Sequence, residues 1–145
     1  MARGAPAAAP IEVSPMSAIP MPAFLRAALL IDAVVSADAG LLLIFGGSRL
    51  DPLLGLPSAF LVGAGLPLIP FAALVAWLGT RRTASRNAVR FVVASNAIWV
   101  AASIGLLVSR AFDPTLLGVG FVLAQTAAVA AFAECQFVGL RRAAA

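Results

Sequence analysis

The sequence predicts an all-α membrane protein: four transmembrane helices in two like-oriented hairpins, with both termini on the cytoplasmic side. Three observations carry that prediction. The chain is 62% hydrophobic and 11% charged, with a mean hydropathy of +1.04, whereas soluble domains carry roughly a quarter charged residues. It contains four apolar runs, each near the roughly 20 residues that a helix needs to cross a bilayer. The arginines are distributed unevenly around those runs.

Residues 1–22 are rich in Ala and Pro, lack a periodic apolar pattern and read as a flexible tail. The first run, 23–46, contains VVSADA, which has the small-x-small spacing of a signal-peptidase site. Asp32 interrupts the short apolar stretch that a signal peptide needs, and LLLIF resumes at once, so an uncleaved helix is expected. The second run, 59–79, holds Pro67 and Pro70, which remove backbone donors and predict a kinked or locally widened helix. The third and fourth runs, 87–109 and 115–140, are separated by RAFDP, and 143–145 form a C-terminal tail.

With four crossings, Arg3, Arg26, Arg81, Arg82, Arg86, Arg90, Arg141 and Arg142 share one side, and only Arg49 and Arg110 lie on the other. Basic residues favour the cytoplasmic side, which gives the orientation and, with the Ala- and Arg-biased composition, a bacterial inner membrane. The opposite side carries a loose repeat, SRLDPLLG at 48–55 and SRAFDPTLLG at 109–118. Asp51 and Asp113 each precede a proline, the pattern of a helix N-cap followed by proline at the first helical position. Two copies of one hairpin, inserted the same way, would explain the repeat.

All ten basic residues are Arg, and His and Tyr are absent. The commonest general base and the usual ligand of haem, copper and catalytic zinc are therefore missing. The single Cys135 lies inside the last apolar run, where a small inert hydrophobe is the expected role. No cofactor and no metal site is expected. The positive charge flanks apolar spans instead of forming a strand-binding surface, which excludes nucleic acid. GAG at 63–65 is too little for a nucleotide loop.

An ionisable group in hydrocarbon costs about 2.5–3.5 kcal/mol on insertion scales, so each one is a candidate site residue. Asp32 and Asp38 lie near the middle of the first run and about 120° apart around a helix. With Asn96 and Gln125 they form the candidate proton-binding, ligand-binding or buried polar cluster. Ser36, Gly40, Ser103, Gly118 and Gln136 are the expected packing seam, in which small residues allow close approach and amides hydrogen-bond across helices. Asp32 is the stronger functional candidate because it falls at a depth similar to that of Asn96. It could bind a proton reversibly, or be a carboxyl held by Asn96 or Ser36 with no turnover. Glu134 faces away from Gln125 and is expected to pair with an arginine or a partner subunit. Trp77 suits an interface anchor, and Trp99 suits packing.

Through LLGLPSAFLVGAG, SNAIWVAAS and the closing QFVGLRR, the chain resembles a widespread group of small, uncharacterised four-span bacterial membrane proteins. The likeness covers about residues 23–142 and implies a topology, with no activity attached. The expected function is that of a noncatalytic accessory or assembly subunit in contact with lipid, packing against other membrane subunits or itself. The alternative is a small oligomeric proton-coupled transporter or channel using Asp32.

Overall fold

The computed structural model describes residues 18–143. Strand β1 (Ala18–Pro20) precedes helix α1 (Ala23–Leu54), then come α2 (Ser58–Thr80), strand β2 (Thr83–Ser85), α3 (Arg86–Ser109) and α4 (Leu116–Arg142). Each of the four helices is long and apolar enough to cross a membrane. The shortest, α2, has 23 residues and so spans about 35 Å. Large apolar side chains cover the outside, among them Phe45 at 80% exposure and Leu116 at 90%, a surface suited to lipid. The chain is thus a helical bundle of multi-pass membrane type.

The N-terminal segment differs from the expected tail. Ala18–Pro20 pairs antiparallel with Thr83–Ser85, placing Ile19 opposite Ala84, and the amide of Met21 donates to the Arg82 carbonyl at 2.9 Å. Ile19, Met21 and Ala84 are buried, so apolar burial under the helix ends holds this two-stranded ribbon. Residues 1–17 of the expected tail, Arg3 included, lie outside the described residues.

At the opposite end α1 runs eight residues beyond its expected limit of Gly46 and ends at Leu54. Gly55 stops it by taking a left-handed conformation, φ 66°, which glycine adopts without the Cβ penalty. Its amide closes the helix on the Asp51 carbonyl at 2.8 Å. Asp51 is therefore not an N-cap: Pro52 lies inside α1, and the Asp51 side chain instead accepts from the Ser58 amide at 2.9 Å, satisfying a free donor at the start of α2. Asp113 is not an N-cap either. It is exposed in the linker before α4, and Thr115 caps that helix by accepting from the Gly118 amide at 3.0 Å.

The repeated stretches thus do different work, one ending α1 and the other leading into α4, and they touch. The Thr115 amide donates to Leu54 O at 2.9 Å and its hydroxyl to Leu53 O at 2.6 Å. A Cβ on Gly118 would overlap the Leu54 carbonyl. Two carbonyls left free at the end of α1 are satisfied this way, because Gly55 stops the helix and Pro57, four residues after Leu53, has no amide to donate.

α1 packs along α2 and α4, and α3 packs along α4, whereas α2 and α3 have almost no direct contact. The α1–α2 approach is set by small residues: a Cβ on Gly65 would meet Gly40 O at 2.8 Å, and one on Gly79 would meet Leu30 Cγ at 2.8 Å. These contacts put Gly40 level with the middle of α2. Pro67 and Pro70 leave α2 unbroken. One apolar cluster, including Leu25, Leu29, Val75, Leu78, Val89 and Val92, fills the ribbon end. A second, including Leu43, Leu54, Leu61 and Val122, fills the other end.

Candidate functional site

Between the two apolar clusters lies a buried polar one. Asp32 and Gln136 have no exposure and Asn96 has 3%. Asp32 Oδ2 accepts from Asn96 Nδ2 at 2.8 Å and from Gln136 Nε2 at 2.6 Å. Asp32 Oδ1 accepts from Ser36 Oγ at 3.0 Å. Asn96 Nδ2 also donates to Gln136 Oε1 at 3.1 Å. Four side chains from α1, α3 and α4 therefore form one connected network in which every described partner of Asp32 is a donor.

The helical repeat explains this grouping. Asp32 sits among Leu29, Ala33, Ser36 and Gly40, all buried on the inner face of α1. Asn96 shares its inner face with Val89, Val92 and Ser103, and Gln136 shares its own with Gly139 and Leu140. A Cβ on Gly139 would meet Leu25 Cβ at 3.0 Å, so this glycine lets α4 approach α1 about one turn from Gln136 and about two turns from Asp32. Hydrogen bonds between helices in a membrane contribute about 0.6–1.7 kcal/mol each. Two of them at Asp32, from Asn96 and Gln136, together with the Ser36 bond inside α1, offset much of the roughly 3 kcal/mol cost of placing the carboxyl at depth.

The expected cluster is only partly the observed one. Asp32 and Asn96 meet, but Gln125 is absent from the network and Gln136, expected in the packing seam, takes the amide position. Gln125 and Gln136 share a face, yet eleven residues separate them by about 16 Å along the axis, and only Gln136 is level with Asp32. Asp38 is exposed on a different face of α1, about 120° round from Asp32, beside Val34, Leu41 and Leu42. Of the seam residues, Ser36 binds Asp32 and Gly40 faces α2. Ser103 turns back to Trp99 O at 2.8 Å on its own helix, and Gly118 abuts α1. Gly65 and Thr115 were not singled out by the sequence reading, although the small residues of GAG and a threonine just before an apolar run were visible signals.

Arg26, Arg81, Arg82, Arg86, Arg90, Arg141 and Arg142 all lie at the ribbon end. Arg26 Nε donates to Gly79 O at 3.1 Å. The Arg81 guanidinium stands 4.7 Å from the centre of the Trp77 ring, a cation–π contact that places Trp77 at the edge of the apolar slab. Arg142 lies 5.8 Å from the Phe24 ring and Arg141 5.8 Å from the Phe137 ring. Glu134 is exposed on α4, and Cys135 is a half-buried free thiol.

Because α2 and α3 stand apart, a groove of about 490 Å³ opens between them, with α1 and α4 as its floor. Ser36 and Asn96 line it as well as binding Asp32, joined by Ser95, Trp99 and Gln125. Among the described residues no group of three His, Cys, Asp or Glu is placed to hold a metal ion.

Fold and site together define a four-helix bundle of membrane-spanning type organised around a buried, fully hydrogen-bonded carboxyl. Comparison with protein-family models, curated proteins and solved structures finds no match.

Proposed function

We propose that the chain is a noncatalytic subunit of a membrane complex. In this reading it sits in a bacterial inner membrane as two like-oriented hairpins with both termini cytoplasmic. The observation that carries the reading is Asp38. It is exposed on the outer face of α1, two residues from Gly40 and hence near mid-membrane. An unpaired carboxyl facing hydrocarbon there costs about 2.5–3.5 kcal/mol, a cost that a neighbouring helix with a matching polar group removes. Ile31, Val34, Asp38, Leu41 and Phe45 are all exposed and alternate at three and four residues, the spacing of a helix–helix seam in which one polar residue sets register. Glu134 is a second exposed carboxyl, on α4 five residues from the middle of that helix.

Purification in mild detergent should yield the chain with a stoichiometric second subunit or a second copy, and Asp38→Leu should lose it. A lone monomer for both proteins would overturn the proposal.

A second reading, proton-coupled transport through Asp32, is favoured by one observation: Ser36 and Asn96 both bond Asp32 and line the lateral groove. In liposomes, Asp32→Asn should abolish pH-dependent uptake, and unchanged flux would remove this reading.

A further inference from the structure

The groove between α2 and α3 holds polar groups that the protein itself leaves unpaired. Ser95 and Gln125 line it, are half-buried, and make no side-chain hydrogen bond among the described residues. They lie two to four residues from the middles of their helices, α3 and α4, or within about 6 Å of mid-span. Apart from Ser36 and Asn96, whose side chains bond Asp32, the remaining walls are apolar, with Phe71, Phe91 and Trp99 contributing three aromatic rings.

We propose that this groove binds an uncharged hydrophobe with a planar, carbonyl-bearing ring, taken sideways from the bilayer. The inference depends on neither reading above, because neither Asp38 nor Glu134 lines the groove and binding does not require transport.

Three features select this occupant. An acyl chain would fill the space but leave the Ser95 hydroxyl and the Gln125 amide without partners in hydrocarbon, where each unpaired polar group is costly. A phospholipid head could pair with them only by leaving the membrane surface for mid-depth. An uncharged molecule that carries acceptor oxygens and no charge can dissolve at that depth and accept from both. The rings supply stacking surface for a flat body, since aromatic groups favour offset or edge contacts with one another. A second cavity of about 320 Å³ shares Trp99 and Gln125 and continues past Phe60 and Leu106 toward the far end, giving room for an apolar tail.

The test uses the whole chain in phosphatidylcholine nanodiscs, with decylubiquinone as probe. Trp77→Phe leaves Trp99 as the only tryptophan, because the chain has two. Quenching of Trp99 should rise to saturation with added quinone. Gln125→Leu should raise the half-saturation about fivefold, the effect of one hydrogen bond, and Ala128→Phe, which fills the groove, should abolish saturation. With Trp99→Phe, the remaining Trp77 should show only linear, collisional quenching. Trp99 quenching that is linear in quinone and equal in all variants overturns the proposal. So does quenching of Trp99 by brominated phosphatidylcholine that decylubiquinone does not displace, which would mean an adventitious lipid only.

Discussion

Replacing Asp32 by leucine removes the acceptor of three hydrogen bonds at once, those from Ser36, Asn96 and Gln136. Two of these cross between helices and the Ser36 bond lies within α1, so at about 0.6–1.7 kcal/mol per interhelical bond and about 1 kcal/mol for the third, the loss is about 2–4 kcal/mol. Little of it is recovered by relaxation, since Gln136 has no exposure and Asn96 only 3% and neither can turn to water. Asp32→Asn should behave differently. Its remaining oxygen can keep both amide donors while its new amide donates to the Ser36 hydroxyl, which accepts as readily as it donates, so a cost of about 1 kcal/mol or less is expected. The assay is reversible unfolding in mixed micelles by titration with a denaturing detergent, read by helicity and by tryptophan fluorescence. Equal destabilisation by Leu and Asn would refute the hydrogen-bond account and point to charge instead. Two variants both as stable as the parent would show that the cluster does not hold the helices.

Three further outcomes follow from the same packing. Gly118→Ala should destabilise by about 1–3 kcal/mol, because its Cβ would overlap the Leu54 carbonyl, whereas Gly63→Ala, with nothing within 4 Å of its Cβ, should be neutral or slightly stabilising; the same unfolding assay separates them. Thr115→Val removes the cap on α4 and the bond to Leu53 O and should cost about 1–2 kcal/mol, with faster hydrogen exchange in residues 116–119. The proposed orientation predicts that a cysteine at Ala143 is labelled by a membrane-impermeant reagent only after the cells are opened, and a cysteine at Ser109 in intact cells; the reverse pattern would invert the topology.

Much of the fold was legible because hydrocarbon is a demanding solvent. Every backbone donor must be satisfied within the segment, so an apolar run of the right length is nearly sufficient to specify a helix, and the limits of α2, α3 and α4 differ by only one or two residues from the expected ones. The far end of α1 was harder. Asp-Pro reads locally as a helix start, but the decisive residues were Gly55, which stops α1, and Thr115, which caps α4 from across a linker. The ribbon was also hidden: β1 has three residues, and its stability comes from burial of Ile19 and Ala84 under the helices.

The candidate site divides along the same line. The sequence by itself determined that Asp32 and Asn96 are costly at mid-span and require partners, because desolvation of a polar group depends on residue type and depth alone. Only the tertiary structure decided that the third partner is Gln136 and not Gln125, that Asp38 points outward, and that α2 and α3 part to leave a groove. Those outcomes depend on how far each helix slides and rotates against its neighbours. Gly40, Gly65, Gly118 and Gly139 set that relation through backbone contacts that no one helix contains.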